Sequence, residues 1–231
     1  MNDLIFIPET HSYFITGIQL QSVTNFIGEF FSKFDVDTHS ARKAAQLGIS
    51  QDEVREMWSS KGRQSADFGT KVHKYAECKA KNLPLPTADS LKMQGYFNAV
   101  DKMMADNNVR VIDAERRIGS LPLLLGGTID LLSKRDSRVF ISDWKTNACI
   151  DLDNKYLKFG INPLHEVQDC NFNHYSLQLS LYAFILEHAY NEKIDALELI
   201  WLKENEYTLV DVPYLKDKII DMLKHSGKWM Q

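Results

Sequence analysis

The pattern of hydrophobic and polar positions changes character near residue 108. Before it, Leu4–Ile7 is a short apolar run, Pro8-Glu9-Thr10-His11-Ser12 carries turn formers, and Tyr13–Ile15 returns as a second apolar run, which predicts a hairpin. Ser22 or Thr24 offers a side-chain oxygen to cap a following helix. Residues 39–62 are polar and helix-prone, ending near Lys61-Gly62. A further helix is expected from about Ser65 to Lys81, stopped by Asn82-Leu83-Pro84-Leu85-Pro86, and another over Asp89 to Asn107.

After residue 108 the pattern turns strand-like. Val109–Ile118, Leu123–Ser133 and Arg138–Thr146 are separated by the short turns at Gly119–Pro122 and Lys134–Ser137, which predicts an antiparallel meander. Residues 147–173 read as irregular, and a loop of that length is uncommon without a function. A long helix follows from about Tyr175 to Tyr190. Strands are then expected at Ile194–Lys203 and Tyr207–Val212, around a turn at Glu204-Asn205-Glu206, with an amphipathic helix from about Tyr214. The expectation is an α+β fold, a mixed sheet flanked by helices, in one domain over 1–231. Its first 108 residues would form a hairpin and a helical region arching over the site, and 109–231 the sheet core and C-terminal helices.

Composition narrows little. With 231 residues and 44% hydrophobic residues the chain is ample for a core. A net charge of −4 does not announce a nucleic-acid binder, but binding follows the local distribution of charge. Three cysteines without CxxC spacing argue against a disulfide framework and for a reducing compartment. The first residues lack the pattern of a signal peptide, and no apolar run approaches the roughly 20 residues that span a bilayer. The expected location is the cytoplasm, without membrane association.

The chemistry concentrates in three short constellations. Asp143 and Lys145 alternate with Trp144 on one strand and so share a face, while Asp130 lies on the neighbouring strand in an apolar setting. Unpaired charges there are costly, and a bound cation would offset them. Carboxylate oxygens suit Mg²⁺ or Mn²⁺. The structural alternative is a solvated Asp143–Lys145 pair with Asp130 at a strand end. His73 and Glu77 stand four apart on a helix, as a metal ligand and its support or as a surface pair. Gln178 and Tyr182 are also four apart, either facing a catalytic loop or simply sitting at the edge of a core stripe.

In order, Gly69-Thr70…His73…Glu77, Gly127…Asp130, Asp143…Lys145 and Gln178…Tyr182 resemble the RecB-like exonuclease branch of the PD-(D/E)XK nuclease superfamily. The stretches His11-Ser12-Tyr13…Gly17…Ser22-Val23-Thr24 and Cys170–Gln178 are similar to phage and mitochondrial single-strand-processing relatives. Ile129 stands where the superfamily's name places a proline, as is usual in this branch. The resemblance implies metal ligation by His73, Asp130, Asp143 and the main-chain carbonyl of Trp144, with Lys145 as the catalytic lysine. It also implies contacts to substrate or catalytic core from Gln178 and Tyr182 and an auxiliary acid in Glu115; Thr146 is expected to contact substrate beside them, and Glu77 to support the His73 ring. A strand-edge pairing of Glu115 with Arg116 or Arg117 is the alternative for that residue.

One subgroup of the family holds an iron–sulfur cluster on four cysteines, and this chain, with three, is expected to carry none. The function implied is metal-dependent hydrolysis of DNA, single-stranded or with free ends. Lys61 and Arg63, in a basic helical region interleaved with aromatics, are expected to contact that strand. A non-catalytic DNA-binding module and a structure-specific endonuclease are the alternatives. No GxxxxGK[ST] occurs, so unwinding would come from a separate helicase or recombination protein.

Overall fold

A computed structural model describes residues 4–229. Strands β1 (Leu4–Ile7), β2 (Ser12–Ile15) and β3 (Ile18–Ser22) open the chain as an antiparallel meander. Helices α1 (Val23–Gly28), α2 (Val36–Leu47), α3 (Gln51–Ala80) and α4 (Leu91–Asp106) follow. Strands β4 (Arg110–Ser120), β5 (Leu125–Arg135) and β6 (Arg138–Lys145) come next, then α5 (Asn171–Ala189), β7 (Ala196–Lys203), β8 (Glu206–Val212) and α6 (Lys216–His225). The expected mixed sheet flanked by helices is the observed architecture. Among the described residues it has eight strands, with β4, β5 and β6 antiparallel as read from the sequence and β7 parallel to β6.

Two features depart most from the sequence expectation. No helix ends at Lys61-Gly62, because Gly62 lies within the single 30-residue helix α3. The break comes earlier, where Gly48 takes a left-handed backbone (φ 69°) and closes α2. Ser50 then opens α3 through a capping box: it accepts from the main-chain N–H of Glu53, whose carboxylate accepts from that of Ser50. The second is β3, a strand not expected from the sequence, which pairs in parallel with β5. Ser22 does cap α1, accepting from the Asn25 N–H at 3.2 Å.

The core has two layers. On one face of the sheet, α1, α5 and α6 bury Phe26, Leu177, Leu181, Phe184, Ile219 and Leu223 against Ile129, Leu132, Ile141 and Leu199. Every α5 residue from Ser176 to Leu186 is buried except the half-buried Gln178, so α5 is apolar nearly all round, as a central helix must be. On the other face, α3 and α4 bury Val72, Tyr75, Phe97 and Val100 against Leu131, Trp144, Ile200 and Leu202.

The edge of β5 facing β6 is shared. Leu125 and Gly126 pair with β3, Leu131–Arg135 pair with β6, and residues 127–130 lie between the two partners. The sheet forks there, and the cleft opens at the fork. The loop 147–170 that follows β6 holds a short 3-10 turn at Asn162–Leu164 and one isolated bridge, Phe159 to Gln168.

Candidate active site

Side-chain alternation slips at Asp130. Ile129 and Leu132 pack in the α5 layer but Leu131 packs in the α3–α4 layer, so the regular two-residue period is interrupted at this position. On β4, Ala114 pairs with Leu131 and Arg116 with Ile129, which sets Glu115 opposite Asp130. Glu115 has a left-handed backbone, φ 48°, rare for a residue inside a strand. On β6, Ser142 pairs with Leu131, so Asp143 is the next residue facing Asp130 from the other side. Three carboxylates thus line up across three adjacent strands.

Helix α3 brings His73 to this row, with Nδ1 3.3 Å from Asp130 Oδ2. Donor atoms of His73, Glu115 and Asp130 all lie within 4.8 Å of one another. Asp130 Oδ2 also accepts from the main-chain N–H of Trp144 at 3.0 Å, which ties β5 to β6 across the fork. Asp143 is 4% exposed and belongs to a second group. Its Oδ2 lies 2.5 Å from Lys145 Nζ, and its Oδ1 accepts a long bond, 3.4 Å, from Gln178 Nε2. The Lys145 contact is ionic and poorly aligned, so Asp143 Oδ2 has no well-directed hydrogen-bond donor among the described residues.

Burial and mutual repulsion set the electrostatics. Desolvation, reinforced by the Asp130 charge, pushes the Glu115 carboxyl up to about 7. Desolvation also raises Asp130, to about 6, with Asp143 adding to the rise while His73 and Lys145 oppose it. Desolvation acts to lower Lys145, but Asp143 and Asp130 more than offset it, so the net shift is upward and the side chain stays an ammonium. Burial holds the Tyr182 hydroxyl firmly protonated.

The lysine is further framed by Tyr175, whose ring centre lies 4.0 Å from Nζ. Tyr175 is not among the expected site residues, although Tyr175, Gln178 and Tyr182 stand at positions i, i+3 and i+7 of one helix and so share a face. Gln178 Nε2 also donates to the Tyr182 hydroxyl at 3.3 Å.

His73, Glu115, Asp130, Asp143, Lys145, Gln178, Tyr182 and Glu77 all line one cleft of about 750 Å³. Within it, the Glu77 carboxylate is engaged by Lys74 at 2.8 Å and Lys81 at 2.9 Å, not by the His73 ring. Glu115 is paired with neither neighbouring arginine: Arg116 is taken by Glu192, and Arg117 lies over the Phe6 ring. Trp144 is buried in the α3–α4 layer, opposite Asp143 and Lys145. The Thr146 hydroxyl faces Gly69 of α3, 3.4 Å from where a Cβ would stand. Lys61 and Arg63 lie exposed on the N-terminal half of α3, away from the lining of the cleft, with Arg63 held by Glu56 at 2.7 Å.

The family model described as PD-(D/E)XK nuclease superfamily matches residues 35–225. The chain belongs to the PD-(D/E)XK nuclease superfamily. Its match runs from the start of α2 to the end of α6 and so takes in the whole carboxylate row. Among curated proteins none matches the chain. Membership points to a metal-dependent nuclease with DNA as its substrate class, and the residues fit the divalent cation that such nucleases use. The imidazole and two carboxyls converge, burial and mutual repulsion make those carboxyls hold their protons unusually tightly, and a divalent cation would offset both costs. Among the described residues no helix is long and apolar enough to cross a membrane.

Proposed function

We propose that the protein is a metal-dependent DNA exonuclease that hydrolyses phosphodiester bonds of single-stranded or end-bearing DNA. The observation carrying this reading is the meeting, at one fork of the sheet, of the His73–Glu115–Asp130 donor set with the Asp143–Lys145 pair. His73, Asp130 and Asp143 are the proposed ligands of Mg²⁺ or Mn²⁺, with Glu115 beside them and the Trp144 carbonyl as a further oxygen. Such a cation supplies a water of lowered pKa and neutralises charge on the phosphate.

The protein's own groups do the rest. Lys145, kept charged by its two carboxylates and held over Tyr175, stabilises the negative charge that builds on the reacting phosphoryl group. Gln178 fixes the Asp143 carboxylate and the Tyr182 hydroxyl together, keeping both oriented toward the cleft. Thr146, Gln178 and Tyr182 are the proposed substrate contacts nearest the chemistry, with Glu77 supporting the helix that carries His73. The proposed setting is replication, recombination or repair, with strand opening supplied by a separate helicase or recombination protein.

The test is cleavage of linear and circular single-stranded DNA with Mg²⁺ or Mn²⁺, beside Asp143→Ala and Lys145→Ala. Loss of linear substrate alone, abolished in both variants, supports the exonuclease. Cleavage of circles would move the assignment to an endonuclease, and binding without cleavage to a non-catalytic module.

A further inference from the structure

Arg117 follows Glu115 by two residues on β4 and lines the same cleft. Its guanidinium lies 4.9 Å from the centre of the Phe6 ring. Phe6 leans on Tyr13 with ring centres 4.8 Å apart, and the His11 ring stands edge-on to both, at 5.2 Å and 5.7 Å. Tyr13 is in turn fixed by its hydroxyl to Thr128 Oγ1 at 2.9 Å. The N-terminal hairpin therefore delivers an ordered aromatic cluster to one wall of the cleft, and lays a planar cation on it.

Neither Arg117 nor His11 is committed elsewhere. Both are exposed, and among the described residues no carboxylate lies within 4 Å of Arg117. Its neighbour Arg116, by contrast, is spent on Glu192 and on the Tyr190 ring. Arg117 also borders a second cavity of about 970 Å³, lined in part by Tyr190 and Trp229, so it stands where two concave surfaces meet.

A centre rich in carboxylates repels a polyanion until something fixes the phosphates beside it. A guanidinium fork already ordered on an aromatic ring does this at little entropic cost. The exposed imidazole beside it presents a ring to a base, and a base is free to meet that ring only when it is unpaired. We propose that Arg117, laid on Phe6 and flanked by His11, docks the nucleotide adjoining the cleaved linkage of a single strand, the guanidinium taking its phosphate and the imidazole its base. This rests on the nuclease reading above.

The test measures binding rather than turnover. Fluorescence anisotropy with a labelled oligothymidylate and its abasic counterpart, in Ca²⁺ to prevent hydrolysis, compares wild type with Arg117→Gln and His11→Ala. Arg117→Gln is expected to weaken both ligands about tenfold and to reduce the slope of log affinity against log salt by about 1. His11→Ala is expected to weaken the oligothymidylate by about tenfold and leave the abasic strand unchanged. Unfolding midpoints equal to wild type show that both variants fold.

Wild-type affinity and slope in Arg117→Gln would overturn the proposal, as would a wild-type protein that binds neither strand. Equal affinity of wild type for the two ligands would remove the base contact at His11 and with it the proposal as stated. If wild type cleaves no nucleic acid yet binds in this Arg117-dependent way, the proposed activity falls and the docking role stands. If it cleaves DNA while Arg117→Gln binds normally, the docking role falls alone.

Discussion

A Cβ placed on Gly127 would stand 2.5 Å from Cε1 of Tyr182, so the tyrosine ring occupies the space that any other residue at 127 would need. The preceding glycine has the same relationship with another ring, since a Cβ on Gly126 would meet Tyr13 at 3.0 Å. Two successive glycines on β5 thus admit two tyrosines, one from the N-terminal meander and one from α5, at the fork beside Asp130. Gly127→Ala is expected to destabilise the fold by about 1–3 kcal/mol through overpacking, and to displace Tyr182. In a Tyr182→Ala background the same substitution should cost much less. Denaturant unfolding of the four proteins checks this coupling, and additive costs would mean that the ring moves aside freely.

Asp143 and Lys145 should behave as a unit. Both are largely buried, with side chains 6% and 14% exposed. Removing either leaves the other as an uncompensated charge, which costs about 3–5 kcal/mol at a buried pair, less here to the extent that water reaches Lys145. Asp143→Asn with Lys145→Met is expected to be more stable than Lys145→Met alone, yet equally inactive. Each single variant should lose on the order of 10²–10³ in rate, and the double variant little more. Multiplying losses in the double variant would show that the two groups act independently.

Much of this site was legible because its spacing is local. Asp143 and Lys145 share a face by strand period, and Gln178 and Tyr182 by helix period, so sequence alone put each pair together. The sheet and its meander followed from turn residues at fixed intervals. What escaped was non-local or irregular. The parallel pairing of β3 with β5 joins residues about a hundred positions apart, and nothing near Ile18 signals it. Periodicity cannot foresee the slip at Asp130 or the left-handed Glu115, since both depart from it. Lys74 and, just past the end of α3, Lys81 each take one oxygen of Glu77, a local signal present beside the His73 spacing that outweighs it. The Ser50–Glu53 capping box was equally present in the sequence and marks the start of α3 better than the polar run does.

Glu115 and Asp130 make the metal-free protein sensitive to pH. Their carboxyls ordinarily titrate near 4.5 and 3.8, and rise to about 7 and about 6 in the folded chain. The folded state therefore holds more protons than the unfolded one across that window, and stability falls as pH rises through it. Glu115→Gln removes one of the two groups. In chelator it is expected to melt above wild type at pH values over about 7, and to match it near pH 4. Mn²⁺ should raise the wild-type melting temperature more at neutral pH than at pH near 5, because protons and metal compete for the same oxygens. A melting temperature indifferent to Mn²⁺ at every pH would mean that the row of acids does not take a cation.

Basic side chains line the N-terminal half of α3, with Arg55, Lys61 and Arg63 in its sequence. Lys61 to Asp67 are all exposed, so this part of the helix stands clear of both core layers while its C-terminal half packs against the sheet. A strand approaching the cleft along α3 would meet Lys61 as a cation without an ion-pair partner among the described residues, and Arg63 as one already paired with Glu56. Lys61→Gln should therefore lower the salt slope of single-strand binding by about 1, and Arg63→Gln by less. Glu56→Gln, which frees the guanidinium, should strengthen binding. Anisotropy titrations over a range of salt separate the three. Equal effects at Lys61 and Arg63 would mean that the Glu56 pair opens on binding, as a weak exposed pair can; no effect at either would mean that the strand takes a path that avoids α3.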